Sequence, residues 1–268
     1  MIELFAFYSF SFVVAAFSAG TLAQIGKHYY SRGNILEIFL LSQLALLGNL
    51  LSKLLFHDHG VDWMGVVLSY LFFGLGKYLL YQKKSNGHEQ GVFMVGGYLF
   101  LLSLQYLLIG FFPLLDSHMS VGFFGNMVTA SLFENVLIFG TSFFFLMAYF
   151  NKRKTINRNT LEVNILGSKD DSKFELFLFS IPLVTFLYSL GFLYTMSFLL
   201  LPSLFVGSLF SSEKRASVFM VFTSAICSVS GLALSIYFER LSTTSVQISL
   251  LVLFLFLFAM VLKSADEL

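Results

Sequence analysis

The chain has 268 residues, of which 57% are hydrophobic and 12% are charged, whereas a soluble domain carries about 25% charged residues. This composition leaves too little polar surface for a water-soluble protein and predicts repeated apolar segments of about 20 residues that cross a membrane. The formal net charge of +1 gives no argument for nucleic-acid binding. With Cys227 as the single cysteine, an intrachain disulfide and a cysteine-based metal site are excluded.

Apolar stretches separated by short polar segments predict nine membrane-spanning helices. The apolar stretch 174–210 is too long for one crossing and contains Pro182, Gly191 and Pro202, so we divide it near Gly191. The predicted spans, in chain order, cover residues 4–25, 35–55, 63–81, 91–112, 131–150, 174–190, 192–210, 216–238 and 246–262. The fold class is therefore an all-α polytopic transmembrane bundle of eight or nine spans.

Two polar stretches interrupt this series of spans. Residues 116–126 follow the fourth span, and the hydrophilic residues 151–173 follow the fifth. The second stretch is too short to hold a nucleotide-binding or enzymatic domain of ordinary size. We therefore expect residues 1–268 to form a single transmembrane domain, whose energy source is another chain or an ion gradient.

The distribution of basic residues predicts the orientation of the chain, because Lys and Arg concentrate on the cytoplasmic side of short membrane loops. If residues 151–173 lie inside and the nine spans alternate, fourteen of the sixteen Lys and Arg residues fall inside. Lys53 and Arg240 are the two that fall outside. This asymmetry places the N-terminus outside and the C-terminus in the cytoplasm.

The second predicted span carries one stripe of polar and small side chains. With about 100° of rotation per residue, the members of this stripe are Asn34, Ile38, Ser42, Ala45, Asn49 and Ser52. Such residues in a membrane face protein or a water-filled path, so the stripe is either the wall of a translocation path or a helix-packing surface. Glu37, near the inner end, belongs to the path or is an interfacial charge.

The eighth predicted span places small residues on one face, namely Ser224, Ser228, Gly231 and Ser235. This spacing lets two helix backbones approach closely, and it favours helix packing against another span or against a second copy of the chain. We assign the same packing role to Gly191 and Pro202.

One outer loop concentrates side chains that can bind a metal ion. His57, Asp58, His59 and Asp62 are suitable ligands for Zn²⁺ or Mn²⁺, although a short polar loop between spans is ordinarily just solvated. His118, close to Asp116 in the next outer loop, is a weaker candidate. His28 and His88 are predicted to be ordinary residues of inner loops.

Signatures of catalysis are missing from the sequence. It contains no His-Glu-x-x-His, no Gly-x-Ser-x-Gly and no phosphate-binding Gly-x-x-x-x-Gly-Lys-Ser/Thr motif. Intramembrane hydrolysis needs a nucleophile and a base at mid-membrane depth, and no histidine lies inside a predicted span. We therefore expect neither an enzyme nor a bound cofactor.

Several short sequence elements follow one another in a characteristic order and spacing. They are Ala19-Gly20-Thr21-Leu22 at the end of the first span, a basic loop at 27–32 before Gly33, the segment 122–131 (GFFGNMVTAS), Leu166-Gly167 after the basic inner stretch, Gly191 and Pro202 eleven residues apart, and the final pattern that begins at 224–237. In this order the chain resembles, over nearly its whole length, the permease subunits of metal-type ABC importers, which carry zinc, manganese or iron.

This resemblance implies a type II ABC importer-like fold and a specific assembly. Two permease copies would form a homodimer with the path on its axis, in a bacterial inner (cytoplasmic) membrane. Cytoplasmic ABC ATPase subunits would drive transport, and an extracytoplasmic substrate-binding protein would deliver the metal. Within the coupling segment 151–173, the residues expected to dock on the ATPase are Thr155, Asn159, Leu161, Asn164, Leu166 and Gly167.

The chain departs from the family at the start of the second span, where the family commonly has Asp and His four residues apart. That spacing suits a metal-binding pair, because residues i and i+4 lie together on a helix. Here the two positions hold Asn34 and Ile38. Three interpretations stay open: a metal importer that handles the cation elsewhere, the same architecture for a non-metal or chelated-metal substrate, and a non-transporting membrane scaffold.

Overall fold

The computed structural model describes residues 8–56, 62–82, 87–125, 127–128, 130–166, 172–206, 210, 212–238 and 241–266. These residues form ten α-helices, and no β-strand occurs among them. In chain order the helices are α1 (Ser9–Ser31), α2 (Ile35–Leu55), α3 (Asp62–Gln82), α4 (Gly87–Phe111), α5 (Leu115–Phe124), α6 (Leu132–Leu166), α7 (Lys173–Leu190), α8 (Phe192–Val206), α9 (Glu213–Phe238) and α10 (Thr243–Asp266).

Eight of the described helices are long and apolar enough to cross a membrane. The helix α8 is shorter, since its 15 residues extend over about 22 Å at a rise of 1.5 Å per residue. The predicted division near Gly191 is confirmed, because α7 ends at Leu190 and α8 begins at Phe192. The second predicted span also matches α2 at both ends.

Two segments predicted to lie between spans are continuous with helices of the bundle. Residues 27–31, expected to lie in a basic inner loop, form the last turns of α1, with Arg32 as its C-cap. The helix that contains the fifth predicted span does not end at Phe150, because α6 continues for another four turns to Leu166. We call residues 151–166 the α6 extension. Its sequence has few apolar residues but no proline or glycine, so nothing in it breaks a helix.

The helix α5 was not predicted, because residues 116–126 were interpreted only as a polar stretch. Its buried residues Leu115, Met119 and Gly122 are spaced by four and three positions, which places them on one face of a helix. This face packs against α2, α7 and α8. A short helix that packs against the bundle therefore connects the fourth and fifth predicted spans.

Two groups of helices make up the bundle. In the first, α1 packs against α6, α8 and α9; in the second, α2 packs against α3 and α4. The helix α7 joins them, because it contacts α6 on one side and α2 and α3 on the other. Apolar side chains such as Leu71, Phe100 and Phe256 are more than half exposed on α3, α4 and α10, as expected for surfaces that face lipid.

The ends of α5 and α7 meet at two glycines. Gly125 (φ 67°, ψ 165°) and Gly191 (φ 82°, ψ 168°) both adopt a backbone conformation that is essentially restricted to glycine. A Cβ atom on Gly191 would lie 2.6 Å from the backbone nitrogen of Gly125, and one on Gly125 would overlap the carbonyl of Leu190. The two residues belong to separate sequence elements of the family resemblance, and the structure brings them into contact.

We predict that Gly125→Ala and Gly191→Ala each destabilise the protein. A side chain in this backbone region costs about 1–3 kcal/mol, and the overlap with backbone atoms adds to that cost. Gly140→Ala is the matched control, because Gly140 lies within α6 and a Cβ there meets no atom within 4 Å. Thermal unfolding in detergent measures the difference. Equal melting temperatures for all three variants would contradict the prediction.

Candidate functional site

The stripe on α2 lies inside the bundle. Ile38 and Ser42 are fully buried and Ala45 is 1% exposed, and the Ser42 hydroxyl donates to the carbonyl of Ile38 at 2.6 Å. Within the described residues these side chains are therefore covered by neighbouring helices of the same chain. A path along the stripe would require those helices to move apart.

The outer end of the stripe faces α3 and α7. The Ser52 hydroxyl donates to the carbonyl of Asn49 at 2.7 Å. Gly65 of α3 lets Asn49 of α2 and Tyr188 of α7 approach α3 closely. A Cβ on Gly65 would lie 3.0 Å from the Asn49 Oδ1 and 2.6 Å from the ring of Tyr188. The buried Asn49 Oδ1 has no hydrogen-bond partner among the described residues.

The inner end of the stripe carries an ion pair. Glu37, in the first turn of α2, accepts from the ammonium of Lys77 near the end of α3. Only 10% of the Glu37 side chain and 19% of the Lys77 side chain are exposed. Asn34 caps α2 without a side-chain hydrogen bond to the helix. The one carboxylate of the predicted path is therefore neutralised by a neighbouring cation rather than left available for a substrate.

A small cavity opens beside the stripe. Its volume is about 10 Å³, roughly the room for one water molecule, and its polar lining consists of Asn49, Gln105 and His118. The Gln105 amide donates to the carbonyl of Gln43 at 2.9 Å. His118, predicted as a weak metal candidate, is thus half-buried beside two amides. The described residues contain no group of three His, Cys, Asp or Glu side chains arranged to hold a metal ion.

The stronger metal candidates of the outer loop cannot be placed. His57, Asp58 and His59 lie outside the described residues, and Asp62 is described only as the first residue of α3. A metal-handling role for this loop stays a prediction.

The small-residue face of α9 packs within the chain. Ser228 accepts from the Gln247 amide of α10 at 3.2 Å, and a Cβ on Gly231 would lie 2.6 Å from the Cα of Gln247. Ser235 donates to the carbonyl of Leu241 at 2.8 Å, and Ser224 is fully buried. The small-residue face of α9 therefore packs closely against α10 of the same molecule.

A hydrogen-bonded chain of buried side chains joins four helices. The Tyr194 hydroxyl of α8 lies 3.0 Å from the Ser18 hydroxyl of α1 and 2.9 Å from the Ser228 hydroxyl of α9. Gln247 of α10 completes the chain through Ser228. Sequence reasoning missed Ser18, Tyr194 and Gln247, although a glutamine near the start of an apolar span was a usable signal.

The α6 extension has two different faces. On its outer face Leu161 is 55% exposed and Ile165 is 78% exposed, and the exposed side chains of Arg158 and Glu162 form an i,i+4 ion pair. Among the residues predicted to dock on an ATPase, Thr155, Leu161 and Asn164 are exposed. The side chain of Leu166 and the whole of Gly167 lie outside the described residues.

The opposite face of the extension is held by a buried network that was not predicted. Asn159, expected to face a partner, donates instead to the Glu175 carboxylate of α7 at 2.6 Å. That carboxylate also pairs with Arg32, and only 4% of the Arg32 side chain and 2% of the Glu175 side chain are exposed. Glu175 lies in the first turn of α7, where the helix dipole stabilises a negative charge.

His28 was predicted to be an ordinary loop residue, and this prediction is wrong. It lies in α1 and is 1% exposed. Its Nδ1 is 2.9 Å from the Thr160 hydroxyl and its Nε2 is 3.2 Å from the Tyr149 hydroxyl, both on α6. Gln24 of α1 also donates to the Tyr149 hydroxyl. The residue is buried because α1 and α6 both extend further than their hydropathy indicates.

Comparison with known proteins was made on sequence and on structure. No protein-family model matches the chain, and no curated protein matches it by sequence. Among solved structures, PsaBC from Streptococcus pneumoniae in complex with Fab matches with a TM-score of 0.75 at 18% sequence identity. The chain has the fold of PsaBC. The match covers 96% of this chain and 95% of that chain.

This match confirms the predicted fold class, an all-α polytopic helical bundle, with the architecture of PsaBC. It also supports, at the level of the fold, the resemblance that was drawn from the order of short sequence elements. The chain is a multi-pass membrane protein. At 18% identity the likeness establishes the architecture alone.

We predict that Glu175→Gln destabilises the protein strongly. Removing one partner of a buried ion pair costs about 3–5 kcal/mol, because the remaining charge stays buried. Glu213→Gln is the matched control, since Glu213 pairs with Lys27 at the same end of α1 while half of its side chain is exposed; this change costs about 0–1 kcal/mol. Thermal unfolding in detergent compares them, and a Glu175→Gln variant as stable as Glu213→Gln would contradict the prediction.

Proposed function

We propose that this chain is the permease subunit of an ATP-driven importer, with a divalent metal ion as its substrate. The fold shared with PsaBC over nearly the full length of both chains carries the proposal, together with the collinear family elements. PsaBC is an ABC permease. In this proposal the chain performs no chemistry; it forms the path and couples to separate ATPase subunits.

The proposed orientation places the N-terminus outside and the C-terminus in the cytoplasm of a bacterial inner membrane. The distribution of Lys and Arg supports it, because fourteen of the sixteen fall on the side predicted to be cytoplasmic. Three of the fourteen form ion pairs there: Arg32–Glu175, Lys77–Glu37 and Lys27–Glu213. A cytoplasmic surface rich in paired charge is the surface that a soluble ATPase would meet.

The outer face of the α6 extension is the proposed docking surface for an ATPase subunit. A shallow groove on this face is lined by Lys154, Asn157, Arg158, Leu161, Glu162 and Ile165. Two exposed aliphatic side chains among paired charges resemble a protein interface, in which an apolar centre is surrounded by a polar rim. Lipid does not cover this face if the hydrophilic extension lies in the cytoplasm.

A homodimer and an extracytoplasmic binding protein complete the proposed assembly. The path would follow the α2 stripe: Asn34, Glu37, Ile38, Ser42, Ala45, Asn49 and Ser52. Because the stripe is covered in this structure, ATP-driven movement of α3 and α7 away from α2 would be needed to expose it. The structure would then correspond to a closed state.

A second candidate, the same architecture for a chelated-metal or non-metal substrate, is favoured by one observation. The family's metal-binding pair is replaced by Asn34 and the fully buried Ile38. A neutral amide is a poor ligand for Zn²⁺ or Mn²⁺, and isoleucine has no donor atom. The adjacent carboxylate of Glu37 is already paired with Lys77.

We predict that a double change, Leu161→Asp with Ile165→Asp, abolishes association with the ATPase without unfolding the permease. Both side chains are exposed, so folding is spared, whereas loss of an interface anchor costs about 2 kcal/mol or more. The measurement is affinity purification from native membranes with assay of bound ATP hydrolysis. Lys214→Asp, an exposed change on α9, is the control. Equal ATPase recovery from the double variant and the control would count against the docking surface.

The substrate class is decided by uptake. Cells with and without the protein are given radiolabelled Zn²⁺, Mn²⁺ or iron, each free and as a chelate. Uptake of a free ion that depends on the protein supports the metal importer and removes the second candidate. Uptake of the chelate alone supports the second candidate. If neither ion nor chelate enters and no ATPase is recovered, the chain is a scaffold and the proposal fails.

A further inference from the structure

The face of the α6 extension opposite Leu161 and Ile165 contacts α1 and α7 through hydrogen bonds around Thr160 and Asn159. Thr160 is 6% exposed and Ile156, one turn earlier, is 1% exposed, whereas Leu161 and Ile165 point outward. The extension therefore presents a bound face and a free face along the same four turns. A helix with this division can carry a partner on one side while it is held on the other.

Thr160 is the centre of this fastening. Its hydroxyl lies 2.9 Å from the His28 Nδ1, accepts from the Arg32 guanidinium at 3.0 Å, and donates to the carbonyl of Ile156 at 2.9 Å. One hydroxyl thus links α6 to His28 and Arg32 at the end of α1. The contacts of Thr160 with His28 and Ile156 are buried, and the contact with Arg32 is partly buried, so water competes little for them.

The charged part of the fastening reaches α7. Arg32 contacts both Thr160 and Glu175, and Glu175 in turn accepts from Asn159 of the extension. The Ser172 hydroxyl accepts from the Glu175 backbone N–H at 3.2 Å and caps α7. A buried pair whose remaining hydrogen-bonding positions are filled resists opening, because breaking it would leave a charge uncompensated.

We infer that Thr160, Arg32, Glu175, Asn159 and His28 form a rigid joint, called here the inner joint, that makes the α6 extension move as one body with the inner ends of α1 and α7. The five residues are positioning residues and touch no substrate. This inference deepens the proposed coupling role, and the rigidity itself does not depend on that role.

The joint has a mechanical consequence because α1 and α7 lead into different parts of the bundle. α1 is linked to α8 and α9 through Ser18, Tyr194 and Ser228. α7 is linked to α3 through the Tyr70 hydroxyl, which lies 2.8 Å from the Thr185 hydroxyl. A force applied to the exposed face of the extension is therefore transmitted to both helix groups. These include α3 and α7, which face the Asn49 end of the α2 stripe.

The test compares three threonine variants. Thr160→Val removes the central hydroxyl at nearly constant volume, and Thr160→Ser keeps it. Thr141→Val is the matched control, because that hydroxyl, also on α6, bonds to the carbonyls of Leu137 and Ile138 of its own helix. All are made in a Cys227→Ser background with spin labels at Lys152→Cys and Phe177→Cys, two exposed positions on α6 and α7; Lys152 is not one of the residues expected to contact the ATPase.

The first arm uses the permease alone in lipid nanodiscs. Double electron–electron resonance measures the distance between the two spin labels. It should give one narrow distance distribution for the protein with Thr160 unchanged, for Thr160→Ser and for Thr141→Val. Thr160→Val should lose the single narrow peak while its melting temperature stays near that of Thr141→Val. A narrow peak in Thr160→Val, or a broad one before any threonine is changed, overturns the joint.

The second arm adds ATP to the complex with the co-purified ATPase. The label distance should stay unchanged on ATP binding, because the extension and α7 move together. A separate Ser42→Cys variant reports access to the α2 stripe. Its ATP-dependent accessibility should be about fivefold or more lower with Thr160→Val than with Thr160, and fivefold is the low end of the usual coupling between two sites. A distance change with intact Thr160 overturns the inference. If no ATPase associates, the proposed function fails, and the first arm still decides the joint.

Discussion

A polar side chain inside a membrane bundle must find its partner in the protein, because lipid offers none. This constraint organises the present structure. Two groups of hydrogen-bonded polar side chains lie where three or more of its helices meet. Between α1, α8, α9 and α10 the chain of Ser18, Tyr194, Ser228 and Gln247 provides the contacts. Apolar packing fills the space between such points, and the hydrogen bonds determine which helices are neighbours.

The inner end of the bundle shows the same constraint acting on charge. Arg32 and Glu175 are buried together with Asn159 and Thr160. Such a pair contributes little net stability compared with an apolar core of the same volume, but it specifies one arrangement of the helices that carry it. The arrangement selected here binds a hydrophilic helix to a membrane-spanning core.

The α2 stripe presents the opposite case, in which polar residues are buried without strong partners. Asn49 leaves its side-chain oxygen without a hydrogen bond among the described residues, and Ser42 and Ser52 bond only to their own helix. Little electrostatic energy therefore opposes separation of α2 from α3 and α7. The one strong contact, between Glu37 and Lys77, lies at the inner end. Separation of the helices at the Asn49 end of the stripe, while the Glu37 end stays paired, is consistent with these contacts.

The sequence by itself determined the membrane class, the all-α fold and the division at Gly191, because these depend on apolar length and on helix-breaking residues that are local in the chain. It also carried the family resemblance in the order of short elements. It did not reveal α5, since a polar composition hid an apolar face of Leu115, Met119 and Gly122. Hydropathy likewise did not reveal that the helices of the first and fifth predicted spans continue past Ile25 and Phe150.

Only the tertiary structure decided what the polar residues contact. His28 and Arg32 are far in sequence from Asn159 and Glu175. The first two were assigned to an inner loop and Asn159 to a partner surface, while Glu175 lay unremarked at the start of a predicted span. The structure brings them together, because the long α6 passes beside the ends of α1 and α7. In the same way it placed Gly125 against Gly191. Partners across the bundle depend on the packing of whole helices, and no local pattern in one span records which other span it meets.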